Sequence, residues 1–499
     1  MSVRFHRSLV FTGLSFLVTG VAWAVTQYAD AIRPPAEYSR GFNAITSAQV
    51  KVWMEFLAGK ETEGRGTGQP GYQKAADFMA ARFQEYGLKP IGDDGTYFQN
   101  LAYTRSRIAN DSKLELTGKK ITVRPTDFSS SLLGNFEGTA ELAVVRTQGR
   151  QPAMENADQF KDKFVIIYTE NPRSRVVAQV GAAGAKGVFT VTDKVSNGWS
   201  VRRSNSNPES LTQPQRELNR ITGTISKEAA DKIVAEIGGM PDQPAENTAT
   251  FKVTKEAVAM KVSSQTEQIK VPNVVGLLEG SDPSLAAEHV GIGAHLDHLG
   301  NQNGQIYYGA DDDASGNAAM LSILKAFAEN PKKPRRSILF MAFCGEEMGL
   351  VGSRYYADNP ILPLSNMVTE LQLDMVGRNE ETSEEKASDN IDTIHLVGSK
   401  RISMELHNLI IELNKYVGFK FEYDQEDVYT RSDHYSFAAK GVPIAFMFSG
   451  FHPDYHQPTD TLDKINFDKI ANAGRLFYLV ANAVANQDKR LAHDAPPAN

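Results

Sequence analysis

Ser337-Ile338-Leu339-Phe340-Met341-Ala342-Phe343 runs straight into Cys344-Gly345-Glu346-Glu347, and this junction decides the fold. The run is short for a helix and too uniformly apolar for a strand with one wet face, so it is expected to be a strand buried on both sides, with two glutamates just past its end. The pattern recurs. His289 to Ala294 precede His295, Val368 to Leu373 precede Asp374, and Pro443 to Phe448 lie ahead of His456. Between the first two of these four runs, Ala314 to Asn330 has helical spacing, with Met320, Ile323, Leu324 and Phe327 on one face. Strand and helix alternate, so the expected fold class is α/β, a mostly parallel mixed sheet flanked by helices.

In such a sheet the crevice lies outside the carboxyl ends of the strands, so residues far apart in the chain meet there. His295, Asp312, Glu347, Asp374 and His456 are all placed to converge in it. Each alone has an ordinary reading: His295 and Asp297 as a polar strand end, Asp311-Asp312-Asp313 as an acidic turn, Glu346-Glu347 as a solvated pair, His456 as a loop histidine. Asp374 is harder to dismiss, because it ends an apolar run and a buried aspartate needs a partner or a metal. Together they supply enough carboxylate and imidazole for two zinc ions sharing one carboxylate, with Glu346 left over as a base. The pattern is that of a metal-dependent hydrolase.

Six segments carry a closer resemblance. They are Gly293-Ala294-His295-Leu296-Asp297, Gly309 to Gly316, Phe343 to Ser353, Leu371-Gln372-Leu373-Asp374-Met375, Ser432-Asp433-His434 and the loop around His456. In order and local sequence they resemble the co-catalytic zinc aminopeptidases, relatives of glutamate carboxypeptidase and the transferrin receptor, from about residue 271 to the C-terminal helix. Glu63-Gly64-Arg65-Gly66-Thr67-Gly68 is a weaker echo of that family's N-terminal start. The resemblance implies that His295, Asp312 and Asp374 hold one zinc, and that Asp312, Glu347 and His456 hold the other. It makes Glu346 the general base acting on a zinc-bridging hydroxide, and Asp297 the group that keeps His295 in its ligating tautomer. Tyr429, four residues before Asp433, falls where the oxyanion-stabilising tyrosine would be. A cis peptide between Asp312 and Asp313 is also implied.

The expected activity is removal of N-terminal residues from peptides with a free amine. A carboxypeptidase or a single-zinc glutaminyl cyclase on the same fold is the alternative, and a binding-only relative is the third class. The last is disfavoured because it has no use for Glu346 beside five ligands; the cyclase, because His295 and Asp374 complete a second site. Ser432-Asp433-His434-Tyr435 resembles the aminopeptidase version of its segment, and no basic run follows it to grip a terminal carboxylate.

Arg4, His6 and Arg7 precede an apolar stretch from Leu9 to Val21 and then Ala22-Trp23-Ala24, the pattern of a cleaved signal peptide over 1–24. A retained anchor is the competing reading, with Ala29-Asp30-Ala31 as another small-residue site, and no other stretch is long and apolar enough to span a membrane. The expected location is periplasmic or extracellular. The single cysteine, Cys344, allows no intrachain disulfide and is expected to be a buried packing residue. With 53 basic and 60 acidic side chains, net charge −7 and no basic stripe, nucleic acid is an unfavoured partner.

At 499 residues the chain exceeds one ordinary core. Lys163 to Tyr168 reads as a strand, Val176 to Ala183 as a helix, and Gly184 to Phe189 as the lead into another strand, resembling an inserted protease-associated α/β domain. The expected division is 36–127 as the N-terminal part of the peptidase domain, 128–260 as the insert, 261–490 as the catalytic domain and 491–499 as a frayed tail. Glu380 to Asp389 is expected to be an exposed acidic loop.

Overall fold

The computed structural model describes residues 28–494 except 30, 131–133, 194, 196–199, 204–217, 303 and 424–425. The leader at 1–24, Asp30 of the second small-residue site and residues 495–499 of the tail lie outside the described residues.

Ten strands form the larger sheet: β1 (Lys89–Pro90), β2 (Phe98–Ile108), β3 (Ser200–Arg203), β4 (Ser264–Leu278), β5 (His289–His295), β6 (Ser337–Phe343), β7 (Met367–Leu373), β8 (Thr393–Val397), β9 (Lys420–Glu422) and β10 (Ile444–Phe448). Their order is β9-β8-β10-β7-β5-β6-β4-β2-β3, with β1 pairing on β4. The block β10-β7-β5-β6 is parallel throughout, while β4 joins β6 and β8 joins β10 in antiparallel fashion. The sheet is thus mixed, with its parallel character concentrated where the site lies.

Strand β6 shows why the apolar run folds this way. Ile338, Phe340 and Ala342 pack into the core on one face, and Leu339, Met341 and Phe343 into the core on the other. A strand buried on both sides needs no polar alternation, and each large side chain so buried contributes about 1.5–3 kcal/mol. The helices Gly316–Glu329 and Phe467–Asn486 cover the first face, bringing Ile323, Leu324, Leu476 and Leu479 to it. Cys344 is buried, as expected.

A second, eight-stranded sheet is built from residues 113–262, ordered Ile121–Val123, Lys113–Leu116, Ala249–Val262, Phe136–Thr147, Phe164–Tyr168, Gly187–Thr192, Ile221–Ser226 and Phe128–Ser130. Its alternation is explicit: Leu142 and Val144 enter one core, Ala143 and Val145 the other. The helix Lys227–Glu236 closes the first, and the helix Arg175–Ala182 the second. This sheet starts earlier than residue 128, because Lys113–Leu116 pairs with Ala249–Val262 and draws Ile121–Val123 with it. Strand β3, from within the same stretch of chain, returns to pair with β2 in the larger sheet. The acidic stretch 380–389 is a loop with most side chains exposed, but Glu380 is buried, its Oε2 2.8 Å from His395 Nε2.

Candidate metal centre

His295 is the last residue of β5, Asp374 follows β7 directly, Glu346 and Glu347 follow β6, and His456 lies on the loop after β10. Asp312 precedes the helix Gly316–Glu329. The parallel block therefore delivers all of them to one edge, where β5 is flanked by strands whose connections leave in different directions.

The orientation of His295 follows from one hydrogen bond. Its Nδ1 lies 3.0 Å from the carbonyl oxygen of Asp297, which can only accept, so Nδ1 carries a proton and Nε2 is the ring atom turned to the carboxylates. That Nε2 is 3.1 Å from Asp312 Oδ1 and 3.3 Å from Asp374 Oδ1. The other oxygen of Asp312, Oδ2, is 3.1 Å from His456 Nε2, which is 3.2 Å from Glu347 Oε2. The two oxygens of Asp312 thus face two different donor groups. Donors of this kind at these separations fit divalent cations that favour imidazole and carboxylate, zinc among them.

The backbone that aims Asp312 is held from several sides. The Asp312–Asp313 peptide is cis, as the family resemblance implied. Asp460 Oδ2 accepts the amide protons of Asp311 and Asp312 at 3.0 and 3.2 Å. Arg65, fully buried, donates to the carbonyls of Leu57, Leu296, Tyr308 and Gly309 at 2.6–2.9 Å. Gly293 matters here too: a Cβ on it would stand 2.4 Å from both Glu370 Oε1 and Gln372 Oε1, so a larger residue would have to displace these buried side chains beneath the site.

Burial pushes the Glu346 carboxyl well above the usual carboxylate range; His295 opposes this, and Asp374 and Glu347 add to it. Burial would raise Asp312 as well, but the rings of His298, His295 and His456 hold it well below its ordinary value. A cleft of about 360 Å³ opens over the group, lined by His295, Asp312, Glu346, Asp374 and His456 on its polar side, and by Met375, Val428, Phe446, Phe448 and Phe451 on its apolar side.

One expectation is refined and one needs correcting. Asp297 does orient His295, through its carbonyl 3.0 Å from Nδ1; its carboxylate, with Oδ1 4.0 Å from Nδ1, accepts instead from the Glu346 amide at 3.0 Å and the Thr67 hydroxyl at 2.7 Å. Tyr429 is not among the cleft-lining residues: it packs into the cores behind the wall, with the Arg401 guanidinium 3.8 Å above its ring. The cleft tyrosine is Tyr455, stacked on His456 with ring centroids 3.9 Å apart. Three further residues were not foreseen. Arg431 lines the cleft and donates to the Tyr455 hydroxyl at 3.2 Å, Asp460 holds the Asp312 backbone, and His298 stands with Nδ1 2.8 Å from Glu347 Oε1. His298 and Tyr455 were legible as neighbours of His295 and His456; Asp460 had no signal beyond being acidic.

Residues 273–481 match the model of Peptidase family M28. Over 216 residues the chain is 29% identical to a probable leucine aminopeptidase of Arthroderma otae, covering 42% of this chain and 56% of that protein. The chain therefore spans little more than half the length of the curated relatives it matches. The fold is shared with BSAP, a zinc aminopeptidase from Bacillus subtilis (18% identity, 89% of this chain and 97% of that one, TM-score 0.54). It is shared also with a peptidase M28 precursor from Shewanella amazonensis SB2B (20% identity, 93% and 98%, TM-score 0.54).

Proposed function

We propose that this chain is an exported zinc aminopeptidase that holds two zinc ions and removes N-terminal residues from peptides. The observation that carries the reading is Asp312, whose Oδ1 faces His295 and whose Oδ2 faces His456. One carboxylate serving two donor sets is what a two-metal site needs. His295, Asp312 and Asp374 would hold one ion; Asp312, Glu347 and His456 the other. When bound, the pair supplies Lewis acidity towards the scissile carbonyl and towards water.

The chain's own residues do the rest. Glu346 takes the proton of the attacking water and passes it to the leaving amine, a role suited to a carboxyl whose burial raises its proton affinity. Tyr455 accepts a hydrogen bond from Arg431, which leaves its own proton free to donate to the developing oxyanion. The apolar wall of Met375, Val428, Phe446, Phe448 and Phe451 suits an apolar substrate side chain. Asp374 and Glu346 give the cleft an acidic field for a free α-amine. Export rests on the leader-like N-terminus, and the second sheet is proposed as a protease-associated domain on its Lys163–Phe189 pattern.

Arg431 favours a second reading, a carboxypeptidase, since it places a cation on the cleft wall. Substrate capping separates the two. Peptides with a free N-terminus should be hydrolysed, their N-acetyl forms should not, and C-terminal amidation should change the rate little; the reverse pattern makes the enzyme a carboxypeptidase.

A further inference from the structure

Behind the apolar wall of the cleft, three further donors meet away from the paired site. His395 stands on β8, Glu422 on the edge strand β9, and Glu380 on the loop after β7. His395 Nε2 is 2.8 Å from Glu380 Oε2 and 3.5 Å from Glu422 Oε2, and ligand atoms of all three lie within 4.8 Å of one another. Around a zinc with bonds of about 2.1 Å, tetrahedral donors are separated by about 3.4 Å. The two measured separations bracket that spacing. His395 and Glu380 are buried, while Glu422 reaches the surface with 33% of its side chain exposed.

The cluster is held in place from outside. Asn390 Nδ2 donates to the Glu380 carbonyl at 3.1 Å, and the Glu381 amide to the Phe451 carbonyl at 2.9 Å. Gly450 makes room for the Glu380 side chain, since a Cβ on that glycine would stand 2.4 Å from the Glu380 Cβ. Lys469, buried, directs its Nζ to the carbonyls of Arg378 and Asn390 at 3.1 and 2.7 Å. Two carboxylates brought this close repel unless a cation lies between them. That cation is either a protonated His395 or a metal ion on the neutral ring.

We propose that Glu380, His395 and Glu422 form a third divalent-cation site, separate from the paired one, which takes an ion of the zinc class from solvent past Glu422. Imidazole beside carboxylate suits zinc better than calcium or magnesium, and three protein donors leave one position for water. The side chain of Lys469 shares the field of Glu380 and Glu422, so it repels the third ion and makes it the last to bind. Once bound, the ion braces the cleft. The His395 ring packs 5.7 Å from that of Phe448, and the Glu380 loop is tied to Phe451, both residues of the apolar wall.

Titration with cadmium tests this without turnover. The full chain, stripped of metal and labelled with ¹⁵N-histidine, should give ¹¹³Cd resonances coupled to His295 and His456 first. A third, coupled to His395 Nε2, should appear last and be lost first on dialysis. His395→Gln and Glu422→Ala should each remove the third resonance and leave the other two; Glu422→Ala, on the edge strand, serves where the buried substitution fails to fold. No third resonance at excess cadmium, or one that survives Glu422→Ala, overturns the inference and leaves the two-metal reading standing. Absence of the first two, with the third present, overturns that reading and upholds the inference.

Discussion

Glu346 is the residue whose loss should separate chemistry from metal binding. Glu346→Gln keeps size and leaves the donor set intact, so zinc content should hold while kcat falls on the order of 100-fold or more, the range expected when a general base is removed. Glu347→Gln should instead lower zinc content. Full activity in the Glu346 variant would move the base elsewhere. The tyrosines make a paired test: Tyr455→Phe should lower kcat on the order of 100-fold, as loss of an oxyanion donor does, whereas Tyr429→Phe should leave it within about twofold. At this scale the candidate metal donors were readable because each follows a strand-like run or, for Asp312, precedes a helix, positions that themselves imply convergence. The two tyrosines were not distinguishable in the same way. Tyr429 sits in a 3-10 turn whose ring faces the cores behind the wall, and no linear spacing states which way a loop side chain points.

Among the elements, β5 carries a test of its own at the end away from the metals. His289 is buried at the start of that strand, and burial pushes its pKa down to about 4. An unfolded histidine titrates near 6.5, so between about 6.5 and 4 the unfolded state takes a proton that the folded state refuses. Stability should therefore fall with acidification across that window, at up to about 1.4 kcal/mol per pH unit from this residue. Denaturant unfolding of wild type and His289→Leu at pH 7, 6 and 5 should show a shallower slope for the variant; equal slopes would show that His289 titrates normally. The N-terminal segment offers a second case. Arg65 ties its own segment to the loops bearing His295 and Asp312 through the carbonyls of Leu296, Tyr308 and Gly309, and to Leu57 within that segment, and Arg65→Met should cost at least about 3 kcal/mol, since several buried acceptors lose a charged donor together. A Tm unchanged by that substitution would mean that water replaces the guanidinium freely.

For the molecule as a whole, the metals are the sharpest test of the reading. Purified protein should contain close to two zinc ions per chain, and strong chelation should abolish hydrolysis and lower Tm together, because ions bound only by the folded state add their binding free energy to its stability. A fully active preparation with one zinc would favour a single-metal enzyme. Among the described residues no helix is long and apolar enough to cross a membrane.

What the sequence determined by itself was the central part of the larger sheet and which candidate donors gather at its edge. Runs such as Ser337–Phe343 are apolar on every residue after the first, which leaves a strand buried on both faces as the consistent solution, and the polar residue after each run then lies at a strand end. The core of the second sheet was legible from Lys163 to Phe189 for the same reason; its edge at Lys113–Leu116 was not, because short edge strands carry too little pattern. Only the tertiary structure decided that the Asp297 carbonyl orients His295, that Asp460 and Arg65 fix the backbone under Asp312, and that His298 and Tyr455 face the site. These are contacts between segments up to hundreds of residues apart, made by side chains whose direction depends on loop geometry, and local periodicity carries no information about either.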